Sequence, residues 1–245
     1  MSVHPFPPRP AGAGFALRHL TLIKTAVWLL ALLPAARLVI GLFGYALAEL
    51  PGGALLLAVG RDLGANPLET LTRSTGFSAL VLLALTLAVT PLRQWLGQPW
   101  LIRLRRPLGL FVFFYAVLHA LCWVWFDHFF DPRAMARDVF KRPFITLGFA
   151  AFVLLVPLAL TSFNAAVRWL GGKRWQWLHR LVYVAAALAV THFWWMKAGK
   201  HDLAQPVVFV LVMLALAAAR IVWKRRRPVR PTAPADWIQV RRPGA

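Results

Sequence analysis

Six stretches of this chain are too long and too apolar for a water-soluble domain. They run over about Leu20–Phe43, Ser74–Leu92, Pro107–Phe126, Pro143–Thr161, Gln176–Met196 and Pro206–Trp223. A helix rises about 1.5 Å per residue, so roughly 20 apolar residues match the roughly 30 Å hydrocarbon layer of a bilayer. Backbone in that layer must satisfy its own hydrogen bonds, which a helix does within one segment. The expectation is an all-α, polytopic membrane protein, a six-helix transmembrane bundle. Only 15% of the 245 residues are charged, where a soluble domain carries about 25%. That leaves no room for a large soluble domain. Pro34 and Pro157 fall inside runs, and Arg37 either snorkels or faces the interior. Between the first two runs, Pro51-Gly52-Gly53 and Asn66-Pro67 read as breakers. The apolar Ala54–Val59 is too short to cross and is expected at the interface or slightly re-entrant. No internal repeat is evident.

The net charge of +20 raises the question of nucleic acid. The basic residues, however, cluster in short segments between apolar runs, not in a soluble basic module. That pattern sets topology and contacts anionic lipid, and no nucleic-acid partner is expected. With the N-terminus inside, the cytoplasmic segments hold 16 basic residues and the opposite loops 8. The bias predicts N-in and C-in. Residues 1–19 then form a cytoplasmic N-terminal segment, 20–223 the membrane domain and 224–245 a basic cytoplasmic tail expected to be disordered. The Pro- and Gly-rich Met1–Gly14 lacks the pattern of a signal peptide. Trp123, Trp125, Trp194 and Trp195 fit an aromatic belt at the outer interface.

Ionisable side chains inside a span are costly and mark function. Three stand out: His119 in the third run, and His179 and His192 in the fifth. With both helices running outward, His119 and His192 share a depth near the outer side on different helices. Two imidazoles facing each other across a bundle can hold a haem iron from both axial sides. A lone histidine in a span also serves as a cross-helix hydrogen-bonding group, and that alternative stays open for each. His179 lies thirteen residues before His192, about 20 Å along an ideal helix and roughly 140° around it. Both face one interior only if the helix bends or carries a bulge. Arg105 and Arg106, near the depth of His179, either anchor topology or bind an anionic group such as a haem propionate or flavin phosphate. His128 and His201 flank spans in loops and are expected to be ordinary solvated residues, and His4 and His19 to be structural or solvated. Cys122 is the single cysteine, so no intrachain disulfide forms.

Several short motifs are familiar in combination: Asn66-Pro67, Thr75-Gly76, Thr86–Arg93, Arg105–Gly109, Tyr115–His119, Lys141–Gly148, Pro157–Ser162 and Trp177–Tyr183. Together they resemble the MsrQ (YedZ) family. These are the haem-binding membrane subunits of bacterial periplasmic protein-methionine-sulfoxide reductase systems, within the wider ferric-reductase-like transmembrane group. The resemblance covers about Leu17–Trp223. It implies a multi-pass protein of the bacterial inner membrane carrying one or two b-type haems and flavin mononucleotide (FMN). Its implied role is to pass electrons from the quinone pool, or from a flavin reductase, to a periplasmic molybdopterin enzyme that reduces methionine sulfoxide in oxidised proteins. The family's histidines fall on His119 and His192, as an outer pair, and on His179 as an inner candidate. The wider group often has two histidine pairs. Here Arg105 stands fourteen residues before His119, which departs from that pattern.

No catalytic constellation for sulfoxide reduction is present, so substrate chemistry is expected on a partner subunit. Two other readings remain at this point. One is the membrane component of a ferric or oxygen reductase with a separate flavoprotein. The other is a proton-coupled transporter using the histidines as a relay.

Overall fold

The structure, a computed structural model, describes residues 18–46, 63, 66–199 and 201–226. Among these, six helices are long and apolar enough to cross a membrane, and no strand occurs. The helices are α1 (Leu20–Ala46), α2 (Pro67–Trp95), α3 (Arg105–Cys122), α4 (Pro132–Lys141), α5 (Pro143–Leu160), α6 (Asn164–Leu170), α7 (Gly172–Leu178), α8 (Leu181–Ala198) and α9 (Ala204–Arg226). The expected all-α six-helix architecture is present. His4, Ala54–Val59 and the chain beyond Arg226 lie outside the described residues.

Several boundaries differ from the sequence expectation, each for a local reason. α2 starts at Pro67, seven residues before Ser74. Asn66 accepts a hydrogen bond from the Glu69 amide at 3.2 Å, and Pro67 takes the first helical position. The pair read as a breaker is therefore an N-cap and a proline where no amide is needed. α2 also continues through Pro91 to Trp95. Proline frees the carbonyl four residues back, which is that of Leu87, and the Arg220 guanidinium of α9 donates to this oxygen. Neighbouring helices repair proline in membrane spans in this way.

The turn around Pro34 in α1 is also held by a side chain from another helix. The Tyr115 hydroxyl donates to Ala31 O at 2.7 Å and accepts from the Ala35 amide at 3.0 Å. One hydroxyl thus bridges Ala31 and Ala35 on either side of Pro34, and Tyr115 is fully buried.

The third span is longer than expected. It opens with a tight helical stretch at Pro99–Leu104, continues as α3 and widens to π spacing over Trp123–Asp127. The fifth run was expected to be one helix from Gln176 to Met196. It is two, α7 and α8, broken at His179-Arg180. α7 is set apart from α6 by Gly171, whose φ of 72° suits a residue without Cβ. The last span reaches Arg226, so the first residues assigned to the tail are helical. The segment between the third and fourth spans contains α4, capped by Asp131 on the Arg133 amide at 2.9 Å.

Two helix pairs dominate the packing, α2 with α3 and α5 with α8. α1 lies on α2 and α3, and α9 on α2 and α8. The core joins the pairs through Leu83, Leu87, Phe111, Val112, Tyr115 and Ala186. Leu22, Leu30, Leu211 and Leu214 are exposed. In a bundle whose solvent is hydrocarbon, apolar faces on both sides of a helix are expected.

Candidate functional site

α3 and α8 bring His119 and His192 face to face. Their ring centroids are 6.2 Å apart and the ring planes meet at 70°. His119 Nδ1 lies 2.8 Å from Thr72 O of α2, and His192 Nδ1 lies 2.6 Å from Phe144 O of α5. A carbonyl only accepts, so each Nδ1 carries the proton and donates it. Each Nε2 is then left with a free lone pair. Metal-ligating histidines are commonly held by this arrangement, one ring nitrogen on a carbonyl and the other free for the metal. Imidazole nitrogens bound about 2.0–2.1 Å from one metal on opposite sides, with ring centres about 1.1 Å behind them, would place the centroids about 6.2–6.4 Å apart. The observed spacing matches that geometry.

Both rings line a mostly apolar cavity of about 2080 Å³ that also touches Val27, Leu83, Phe152, Leu155 and Ala189. That is about twice the upper end of ordinary small-ligand pockets, near 1,000 Å³, and suits a large planar macrocycle. Cations near the mouth carry acidic partners: Arg73 with Glu69, Arg142 with Asp138 at 2.9 Å, and Lys197 with Asp202 at 2.5 Å.

His179 is placed differently. It caps α7 at the break before α8, at the opposite end of the bundle from His119 and His192. The helix break removes the angular difficulty, because His179 and His192 do not share one regular helix. Its Nε2 lies 3.1 Å from Thr161 Oγ1. The Thr161 hydroxyl spends its own proton on Pro157 O at 2.7 Å, so His179 Nε2 is the donor. The ring stacks on Trp175 at 4.0 Å, and Trp175 Nε1 donates to Thr161 O at 2.8 Å. Arg106 is exposed and donates to Asn164 Oδ1 at 3.1 Å. No group of three or more His, Cys, Asp or Glu poised for a metal occurs among the described residues.

One expectation about the other histidines needs correction. His128 is not a solvated loop residue. Its Nε2 is 3.0 Å from Asp138 Oδ2, with side-chain exposures of 12% and 11%. Trp123 Nε1 donates to the same oxygen at 3.2 Å. This cluster fastens α4 to the end of α3. Cys122 is buried and unpaired.

Residues 75–190 match the ferric reductase like transmembrane component family. That stretch contains His119 and His179 and stops two residues before His192. The chain is 52% identical over 223 residues to the protein-methionine-sulfoxide reductase heme-binding subunit MsrQ of Herminiimonas arsenicoxydans, covering 91% of this chain and 90% of that relative. This chain belongs to the MsrQ family. It is 53% identical to the Ralstonia nicotianae member, covering 84% of this chain and 88% of the relative. For the Azospira oryzae member the figures are 47%, 89% and 88%. No solved structure matches. The six apolar spans and MsrQ membership make it a multi-pass membrane protein.

Sequence reasoning missed what lies behind the two imidazoles, Gly76 behind His119 and Gly148 behind His192. The signal was available: the glycine precedes its histidine by 43 residues in one case and 44 in the other. The helix pairs α2/α3 and α5/α8 thus repeat one design, where no repeat was expected.

Proposed function

We propose that this chain is the haem b-carrying, electron-transferring membrane subunit of a protein-methionine-sulfoxide reductase system, with His119 and His192 as the two axial ligands. The observation that carries the reading is the facing pair, 6.2 Å between centroids with both Nδ1 atoms committed to carbonyls. Held by His119 and His192, haem would supply a one-electron centre for the chain. The chain's own part is to aim the two Nε2 lone pairs, fix the tautomers through Thr72 and Phe144, and keep water away with apolar walls.

The reading extends to orientation and partners. N-in and C-in topology in the bacterial inner membrane puts the His119–His192 end outside, toward a periplasmic molybdopterin subunit that performs the sulfoxide chemistry. His179, Arg105 and Arg106 then lie at the cytoplasmic side, where electrons enter from the quinone pool or a flavin reductase. Arg105 and Arg106 are the groups proposed for a propionate or for the phosphate of FMN. A second haem would need His179 with a ligand other than histidine, since Arg105 occupies the place of a fourth.

A reduced-minus-oxidised visible spectrum of the purified protein, with extracted haem quantified, tests this. His119→Ala and His192→Ala should each abolish most of the low-spin signal, and His201→Ala should not. A wild-type protein without haem bands would refute the reading in favour of a proton relay. Electron delivery to ferric chelates but not to a molybdoenzyme would assign it to metal reduction instead.

A further inference from the structure

The two imidazoles are seated by an arrangement that occurs twice. In α2, Thr72 O accepts from His119, and one turn later Gly76 passes beneath the same ring. In α5, Phe144 O accepts from His192, and one turn later Gly148 passes beneath that ring. Residues four apart lie on one helix face, so acceptor and glycine form a single notch. We propose that Gly76 and Gly148 are positioning residues for the His119–His192 pair. In each case the missing Cβ lets the imidazole lie against the neighbouring helix while its Nδ1 proton reaches the carbonyl one turn back.

The distances show what a side chain would do. A Cβ on Gly76 would sit 2.9 Å from His119 Cε1 and 3.0 Å from Nδ1. A Cβ on Gly148 would sit 2.9 Å from His192 Nδ1, 3.0 Å from Cε1 and 3.2 Å from Cγ. Carbon atoms prefer about 3.5–4.0 Å, so each ring must retreat about 0.6 Å. Metal–ligand distances tolerate only about 0.2 Å. A displaced ring gives up either its carbonyl or its place opposite the other imidazole. Helix propensity gives no reason for glycine here, since alanine is the better helix former. Gly109 is an internal control: a Cβ there would meet Thr86 Cγ2 at an ordinary 3.8 Å.

The spectroscopic part of this inference rests on the haem reading above; the stability part does not. The experiment compares Gly76→Ala, Gly148→Ala and Gly109→Ala in the full chain. It reads haem affinity, low-spin electron paramagnetic resonance and midpoint potential, and the melting midpoint of haem-free protein in detergent. Gly76→Ala and Gly148→Ala should weaken haem binding by about 10- to 100-fold, as loss of ligand support does, and shift the low-spin signal of any haem retained. Gly109→Ala should match wild type. In haem-free protein, Gly76→Ala should lower the melting midpoint in the wild-type background but not in His119→Ala, where no ring remains to clash. Gly148→Ala should behave likewise with His192→Ala. Wild-type affinity, signal and potential in both glycine variants would overturn the proposal. So would an equal loss of melting midpoint with and without the histidine, which would make the glycines helix-packing residues. Wild-type protein that takes up no haem would instead remove the haem reading, and the melting comparison would still decide the glycine contact.

Discussion

Tyr115→Phe offers the sharpest test of how the first span is held. The variant keeps the ring, which is fully buried, and removes only the hydroxyl. That hydroxyl accepts from the Ala35 amide at 3.0 Å and donates to Ala31 O at 2.7 Å. The two partners flank Pro34, which has no amide proton to give its own helix. In water-soluble cores, an orphaned buried polar group costs about 1–3 kcal/mol. Side-chain hydrogen bonds inside membrane bundles measure less, averaging about 0.6 and reaching about 1.7 kcal/mol. Two such bonds give an expected loss of about 1–3 kcal/mol, with little cavity term because the ring remains. Unfolding in mixed detergent micelles, followed by tryptophan fluorescence, measures it. α1 also walls the histidine cavity through Val27, Ala31 and Pro34. The variant should therefore also speed haem loss to an external acceptor. A Tyr115→Phe protein as stable as wild type would refute the bridge as an energetic link.

Two further outcomes follow from named contacts. Arg220→Met should destabilise the bundle by about 1 kcal/mol, within the range for membrane hydrogen bonds, because it strips the Leu87 carbonyl freed by Pro91. In a Pro91→Ala background the helix supplies that bond itself, so a thermal-melting cycle should show the Arg220→Met cost shrink; an unchanged cost would assign Arg220 another role, such as its stacking over Tyr183 at 5.0 Å. His179→Ala should leave the low-spin signal of the His119–His192 site while slowing its reduction by a quinol or reduced flavin, measured by stopped flow at matched haem content. Unchanged rates with both donors would remove His179 from the electron path.

Much of the architecture was legible because the bilayer imposes one period and one length on every span. Leu20, Pro143 and the region of Pro206 were placed well as starts, since apolar content changes sharply there. Ends governed by hydrogen bonding were not legible. Asn66-Pro67 carries the composition of a breaker, and only the Asn66–Glu69 bond makes it a cap. Thr90-Pro91 looks terminal until Arg220, more than a hundred residues away, takes the Leu87 carbonyl. The break at His179-Arg180 leaves no proline or glycine mark, because stacking on Trp175 and the bond to Thr161 specify it. At the site, the shared depth of His119 and His192 followed from helix direction alone. The carbonyls of Thr72 and Phe144 are backbone acceptors on other helices and leave no mark in the sequence, and the glycines behind the rings leave only their matched spacing to the histidines.

The repeat between α2/α3 and α5/α8 also explains why the two ends of the bundle differ. At one end the design is complete: carbonyl, glycine and histidine in each half, with the two rings 6.2 Å apart. At the other end, counting back from those histidines gives Arg105 in one half and His179 in the other. An arginine offers five donors and no lone pair for a metal, so it cannot return the second imidazole that the repeat would supply. His179 in turn uses its Nε2 as a donor to Thr161, the opposite of the outer rings. The halves therefore share a scaffold but not a chemistry at that end. At the complete end each Nδ1 is held by a carbonyl and each Nε2 keeps its lone pair.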